Sequence, residues 1–148
     1  MAEFQSLLHL SSPEETSALA RRVGLELGRG DVLLLEGEIG AGKTHFARSL
    51  IQSLLQAPED IPSPTFTLVQ TYETRLGEVW HADLYRLSDP SEAEELGLTE
   101  AFDDAICLIE WPDRLAGLTP PSAITLTSET TPTNEQRRIT LPRGSGDL

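Results

Sequence analysis

Several things are scarce in this chain of 148 residues, and each scarcity narrows what it can be. There is one cysteine, Cys107, so no internal disulfide can form and a reducing setting is expected. Aromatic residues make up 5% of the chain, and no apolar run approaches the roughly 18 residues that a spanning helix needs. The N-terminal stretch Met1-Ala2-Glu3-Phe4-Gln5 lacks the basic and long apolar regions of a signal peptide, so a cytoplasmic location is expected and no membrane partner. Positive charge is scarce as well. Eleven basic residues stand against 24 acidic ones, a net charge of −13. A surface this acidic repels phosphate backbones, which disfavours direct, unaided binding of nucleic acid; the acidity fits solubility alone or a protein partner with a basic patch, and charge by itself does not choose between them. Among the eleven, lysine occurs once, at Lys43.

What is present is a globular composition, 39% apolar and 24% charged, of a length that suits one domain. The expected organisation is a single domain over 1–143 with a flexible tail at 144–148. Ser12-Pro13-Glu14-Glu15 reads as a capped helix start, and Leu19, Val23 and Leu27 follow at i, i+4 and i+8, predicting a helix over 13–27 that Gly28 ends. Asp31-Val32-Leu33-Leu34-Leu35-Glu36 has the nearly continuous apolar character of a strand buried on both faces of a parallel sheet. A glycine-rich loop and a helix from Lys43 to about Gln56 come next. Residues 67–73 and 78–82 read as strands joined by a turn at Leu76-Gly77, and 91–96 as a short acidic helix. Residues 105–109 form a second fully apolar strand closed by Glu110-Trp111-Pro112, and 124–127 and 138–141 read as antiparallel additions at a sheet edge. The fold class predicted is α/β: a P-loop nucleotide-hydrolase-like domain with a mainly parallel central sheet flanked by helices and antiparallel strands at the edge.

The chemistry concentrates in Gly37-Glu38-Ile39-Gly40-Ala41-Gly42-Lys43-Thr44, which matches G-x-x-x-x-G-K-[ST] at every required position. Gly37, Gly40 and Gly42 permit close backbone approach, so successive N–H groups can turn inward on a phosphate chain. In this pattern Lys43 reaches the β- and γ-phosphates and the Thr44 hydroxyl coordinates Mg²⁺, while the helix that follows adds its positive N-terminal dipole. The only lysine of an otherwise arginine-based chain stands where a compact ammonium serves phosphate best. Such a loop needs an acid near the metal at the end of a neighbouring strand. Glu110 and Asp83 both qualify, with Glu110 placed nearest the metal and Asp83 as a second anchor or an orienter of water. Thr65, on the proline-stiffened stretch Ser63-Pro64-Thr65-Phe66-Thr67, is a candidate γ-phosphate sensor, equally readable as a surface-loop residue. His81, two residues before Asp83, reads first as a packed strand residue. The expected cofactors are ATP and Mg²⁺.

With these residues in place the chain resembles the TsaE (YjeE) family, small ATPases of bacterial tRNA threonylcarbamoyladenosine synthesis. The blocks that carry the likeness are residues 37–44, Ser63-Pro64-Thr65-Phe66-Thr67-Leu68-Val69, His81-Ala82-Asp83-Leu84-Tyr85-Arg86-Leu87 and Asp104-Ala105-Ile106-Cys107-Leu108-Ile109-Glu110-Trp111-Pro112. The resemblance implies a cytoplasmic P-loop ATPase that acts on the TsaD–TsaB pair and meets tRNA only through that complex. It also implies that Glu110 is the magnesium-associated acid, that Asp83 is needed for hydrolysis, that Thr65 lies on a switch-like loop and that Thr16 is close to the nucleotide. His45 and Ala82 depart from the family pattern, which often has threonine and phenylalanine there. A rival reading is a small P-loop kinase acting on a nucleoside or another small molecule, but the arginines are scattered and form no evident lid.

Overall fold

The apolar runs sort the chain into a sheet with a hydrophobic layer on each face. The computed structural model describes residues 5–10, 13–37, 43–55, 61, 68–130 and 137–142. In chain order these form β1 (Gln5–Leu10), α1 (Pro13–Leu25), β2 (Val32–Gly37), α2 (Lys43–Leu54), β3 (Val69–Thr74), β4 (Gly77–Asp83), α3 (Ser91–Glu95), α4 (Leu98–Asp104), β5 (Ile106–Glu110), a 3₁₀ segment (Pro112–Leu118), β6 (Ile124–Thr130) and β7 (Arg137–Pro142). The described strands make one sheet in the order β1-β7-β6-β2-β5-β4-β3. Its middle is parallel, β6 with β2, β2 with β5 and β5 with β4. Antiparallel pairs close both sides: β3 with β4 on one, and β7 with β6 and with β1 on the other. The α/β class with a parallel centre agrees with the sequence.

Successive side chains of a strand point to opposite faces, and the two cores follow this alternation. Leu33 and Leu35 of β2, Val79 of β4, and Ile106 and Leu108 of β5 join one core with Leu19, Ala20 and Val23 of α1 and Phe46, Ala47, Leu50, Ile51 and Leu54 of α2. Val32, Leu34, Ala82, Cys107 and Ile109 belong to the other, with Ala93 of α3, Leu98, Ala101 and Phe102 of α4, and Leu115 of the 3₁₀ segment. Every residue of β5 is buried. Complete burial of an aliphatic side chain contributes about 1.5–3 kcal/mol, so these two layers outweigh the weak local preferences of the short helices. Burial, and secondarily the charge of Glu78, pushes the Cys107 thiol up to about 12.

Four details differ from the sequence reading. The first helix ends at Leu25 rather than Leu27. There the chain tightens through bonds from the Glu26 and Leu27 amides to the Val23 and Gly24 carbonyls, and the Asp31 carboxylate accepts the Gly28 N–H at 2.8 Å. The strand at 124–130 is not an antiparallel edge addition, because it pairs in parallel with β2 as well as antiparallel with β7. Two elements were not foreseen: β1, whose partner is 127 or more residues away in β7, and α4, entered through left-handed Gly97 with φ 88°. The side chain of Trp80 packs there, 3.4 Å from where a Cβ would stand. The helix cap foreseen at Ser12 and the tail at 144–148 lie outside the described residues.

Candidate functional site

In a sheet of this kind ligands bind beyond the carboxyl ends of the parallel strands. Here β2, β5 and β4 are adjacent, and their registers fix what stands at that edge. Leu35 of β2 pairs with Glu110 of β5, and Glu110 pairs with Asp83 of β4. Glu110 is therefore level with a point two residues before Gly37, about 6.6 Å along the strand. Gly37 is the last residue of β2, Lys43 the first of α2, and Glu38, Ile39, Gly40, Ala41, Gly42 and Thr65 lie outside the described residues. The fold thus delivers both ends of the glycine-rich loop to the strand edge that carries the two acids.

The acids are held in different ways. Glu110 is 2% exposed and Asp83 9% exposed, well below what isolated surface carboxylates show. The Asp83 Oδ1 accepts the Tyr85 amide at 3.1 Å, an Asx turn that bends the chain out of β4. The Asp83 N–H donates to the Leu68 carbonyl at 2.9 Å, and the Leu84 N–H to the Glu110 carbonyl at 3.0 Å, stitching the strand ends together. Leu68 and Trp111 have φ of 67° and 58°, a left-handed conformation that costs a non-glycine residue about 1–2 kcal/mol. One directly precedes β3 and the other directly follows Glu110. Backbone strain thus collects around the acids, as it tends to at functional sites. Beside them the half-buried Trp111 ring meets exposed Tyr85 with centroids 4.8 Å apart and planes tilted by 54°.

Glu110 has a partner that sequence reasoning left aside. His81, 0% exposed, brings Nε2 to 2.8 Å from Glu110 Oε2. His81 pairs with Leu108, one strand period below the Asp83–Glu110 pair, so the three polar side chains share the face that α2 covers. The signal was available: a lone histidine two positions before Asp83 occupies Asp83's face by strand periodicity.

On α1, Thr16 is buried, and its neighbour Ser17 places Oγ 3.0 Å from His45 Nε2 and 2.9 Å from Ser49 Oγ of α2. The departing residue His45 is thus engaged with α1, and Ala82 is buried in the core on the opposite face from the acids. Ser17, Arg21, His45 and Arg48 lie along a cavity of about 500 Å³ between the two helices. Among the described residues no group of three or more His, Cys, Asp or Glu converges as a metal cage, and no helix is long and apolar enough to cross a membrane.

A model of the family described as threonylcarbamoyl adenosine biosynthesis protein TsaE matches residues 10–139. The chain belongs to the TsaE family. Similar curated proteins carry the name tRNA threonylcarbamoyladenosine biosynthesis protein TsaE. That of Rickettsia felis is 40% identical over 130 residues, covering 88% of this chain and 76% of its own. That of Bacillus subtilis is 42% identical over 101 residues, 68% of this chain and 62% of its own. A crystal structure of Bacillus subtilis YdiB superposes with a TM-score of 0.80 at 29% identity, covering 96% of this chain and 86% of that one. As a TsaE-family member, the chain brings Asp83 and Glu110 together at one strand edge with the ends of its glycine-rich loop.

Proposed function

We propose that this TsaE-family protein binds ATP with Mg²⁺ on residues 37–44, hydrolyses it slowly, and thereby supports tRNA threonylcarbamoyladenosine formation by acting on the TsaD–TsaB complex in the cytoplasm. The observation that carries this reading is the register Leu35–Glu110–Asp83 across three adjacent parallel strands, directly below the strand end that opens the glycine-rich loop. The donor chemistry fits Mg²⁺, which takes oxygen ligands and needs only one or two carboxylates when the substrate's phosphates and water complete its shell. Thr44 and Glu110 would hold it, directly or through water, and the chemistry it would supply there is neutralisation of phosphate charge.

The protein's own groups have separate tasks in this scheme. Backbone N–H groups of the loop cradle the phosphates, and Lys43 places a cation on the transferred group. Asp83, anchored by its turn, orients the attacking water, and Thr65 senses the γ-phosphate. Thr16 and its helix flank the nucleotide. On this reading intrinsic turnover is slow and depends on the partner complex. The net charge of −13 suits docking to a basic protein surface better than to tRNA itself.

The test is reconstituted tRNA modification with TsaD and TsaB over several turnovers. Addition of this protein with ATP is expected to sustain turnover. A nonhydrolysable analogue, or Lys43→Ala, is expected to abolish the stimulation. Equal stimulation with the analogue would refute the hydrolytic role, and robust γ-phosphate transfer to a nucleoside would favour a kinase instead.

A further inference from the structure

The core on the α2 face of the sheet is aliphatic around β4 and β5, with Val79, Ile106 and Leu108, yet it contains one fully buried imidazole. The Nδ1 atom of His81 is buried and has no hydrogen-bond partner among the described residues. A buried polar atom without a partner destabilises the fold, a cost that a leucine of similar volume would avoid. What the ring gains is at its other end, the 2.8 Å contact from Nε2 to Glu110 Oε2 between two groups that are 0% and 3% exposed at the side chain. A carboxylate only accepts, so Nε2 carries the hydrogen and donates it.

We propose that His81 is a positioning residue for Glu110: its Nε2–H fixes the carboxylate's orientation at the strand edge so that it meets the metal shell of a bound nucleotide. The inference rests on the reading of Glu110 as the magnesium-associated acid. The geometry suits this role better than acid–base work. His81 lies one strand period deeper than Asp83 and Glu110, is closed to solvent, and reaches the strand edge through Glu110. Groups that orient a metal-associated ligand typically matter 10- to 100-fold in metal affinity or turnover when removed.

Two replacements separate the hydrogen bond from mere packing. His81→Leu fills the space without a donor, and His81→Gln keeps an N–H near the position of Nε2. In a Trp80→Phe background, where Trp111 is the sole tryptophan, His81→Leu is expected to raise the Mg²⁺ concentration for half-maximal ATP-dependent fluorescence change by about tenfold. It lowers kcat by a similar factor, while KM for ATP at saturating Mg²⁺ stays within about twofold. His81→Gln restores most of both. In a Glu110→Gln background His81→Leu adds nothing further, as expected when two residues act as one unit.

Unchanged Mg²⁺ dependence in His81→Leu overturns the proposal, as does an equal loss in His81→Gln, or an undiminished effect in the Glu110→Gln background. Should His81→Leu fail to fold, His81→Asn takes its place, because its shorter amide falls short of Glu110; Asn outperforming Gln overturns the proposal. Crystal structures of the variants decide the pairing even if the protein proves not to use ATP. Glu110 keeps its rotamer in His81→Gln and abandons it in His81→Leu, and a carboxylate unmoved by the loss of the imidazole refutes the inference.

Discussion

Replacing Glu110 by glutamine should cost activity and spare the fold, and the structure allows the size of each effect to be worked out. The side chain is 2% exposed and its Oε2 accepts from His81 at 2.8 Å. A glutamine oxygen can still accept that bond, so at this contact only the charge-assisted part is lost. Bonds to charged groups are worth about 1.5–3 kcal/mol and neutral ones about 0.5–1.5, a difference on the order of 1 kcal/mol. Against this stands the desolvation of a buried carboxylate, an effective penalty of several kcal/mol, and the like charge of Asp83 in register beside it. Relief of that penalty offsets the roughly 1 kcal/mol lost at the hydrogen bond, so the variant should melt no lower than the wild type. Hydrolysis, which on the present reading needs the carboxylate at the metal, should fall by about 100-fold or more, ΔΔG‡ of roughly 2.7 kcal/mol. The assay pairs thermal denaturation with phosphate release at saturating ATP and Mg²⁺. A variant that melts well below the wild type would mean that the carboxylate is a structural anchor. One that hydrolyses within threefold of wild type would remove Glu110 from the metal site.

Gly97→Ala forces a side chain into a φ of 88° against the Trp80 ring and should destabilise by about 1–2 kcal/mol, read from the urea midpoint at unchanged m-value. A neutral result would mean that the α3–α4 junction can readjust at little cost. Cys107 should resist thiol reagents at pH 8 in the native protein and label fully in denaturant, since burial favours the neutral thiol; rapid native labelling would contradict its burial. The same shift makes the folded state hold its proton longer than the unfolded one. Its contribution to stability is thus complete below pH 9 and disappears as pH rises toward about 12, which denaturation at graded alkaline pH would follow.

The parallel centre was legible because strands covered on both faces must be apolar throughout. Residues 32–35 and 106–109 are, and glycines or acids mark their ends. The same logic misplaced 124–127. Ile124-Thr125-Leu126-Thr127 alternates like a half-exposed edge strand, yet it lies beside β2, a place fixed by pairing with residues about 90 positions earlier in the chain. β1 was missed for the same reason: Gln5 pairs with Pro142, and nothing within a local window records so distant a partner. The missed α4 did carry a signal, since Leu98, Ala101 and Phe102 follow helical spacing and all three are buried, but seven residues leave too short a window for periodicity to stand out.

The two acids were legible as residues, whereas their conjunction depends on register. Strand periodicity puts His81 and Asp83 on the α2 face and Ala82 on the other, and only the alignment Asp83–Glu110 brings the carboxylates level. A slip of β4 by one residue against β5 would bury Asp83 among Ile109 and Leu115 and turn Ala82 toward α2. What forbids the slip is apolar: Val79 must pack with Ile106 and Leu108 on one side, and Ala82 with Ile109 on the other. The hydrophobic alternation that looks like structural filler is therefore what sets the spacing of the polar site, and a change at Val79 or Leu108 can shift Asp83 and Glu110 relative to each other without touching any polar group.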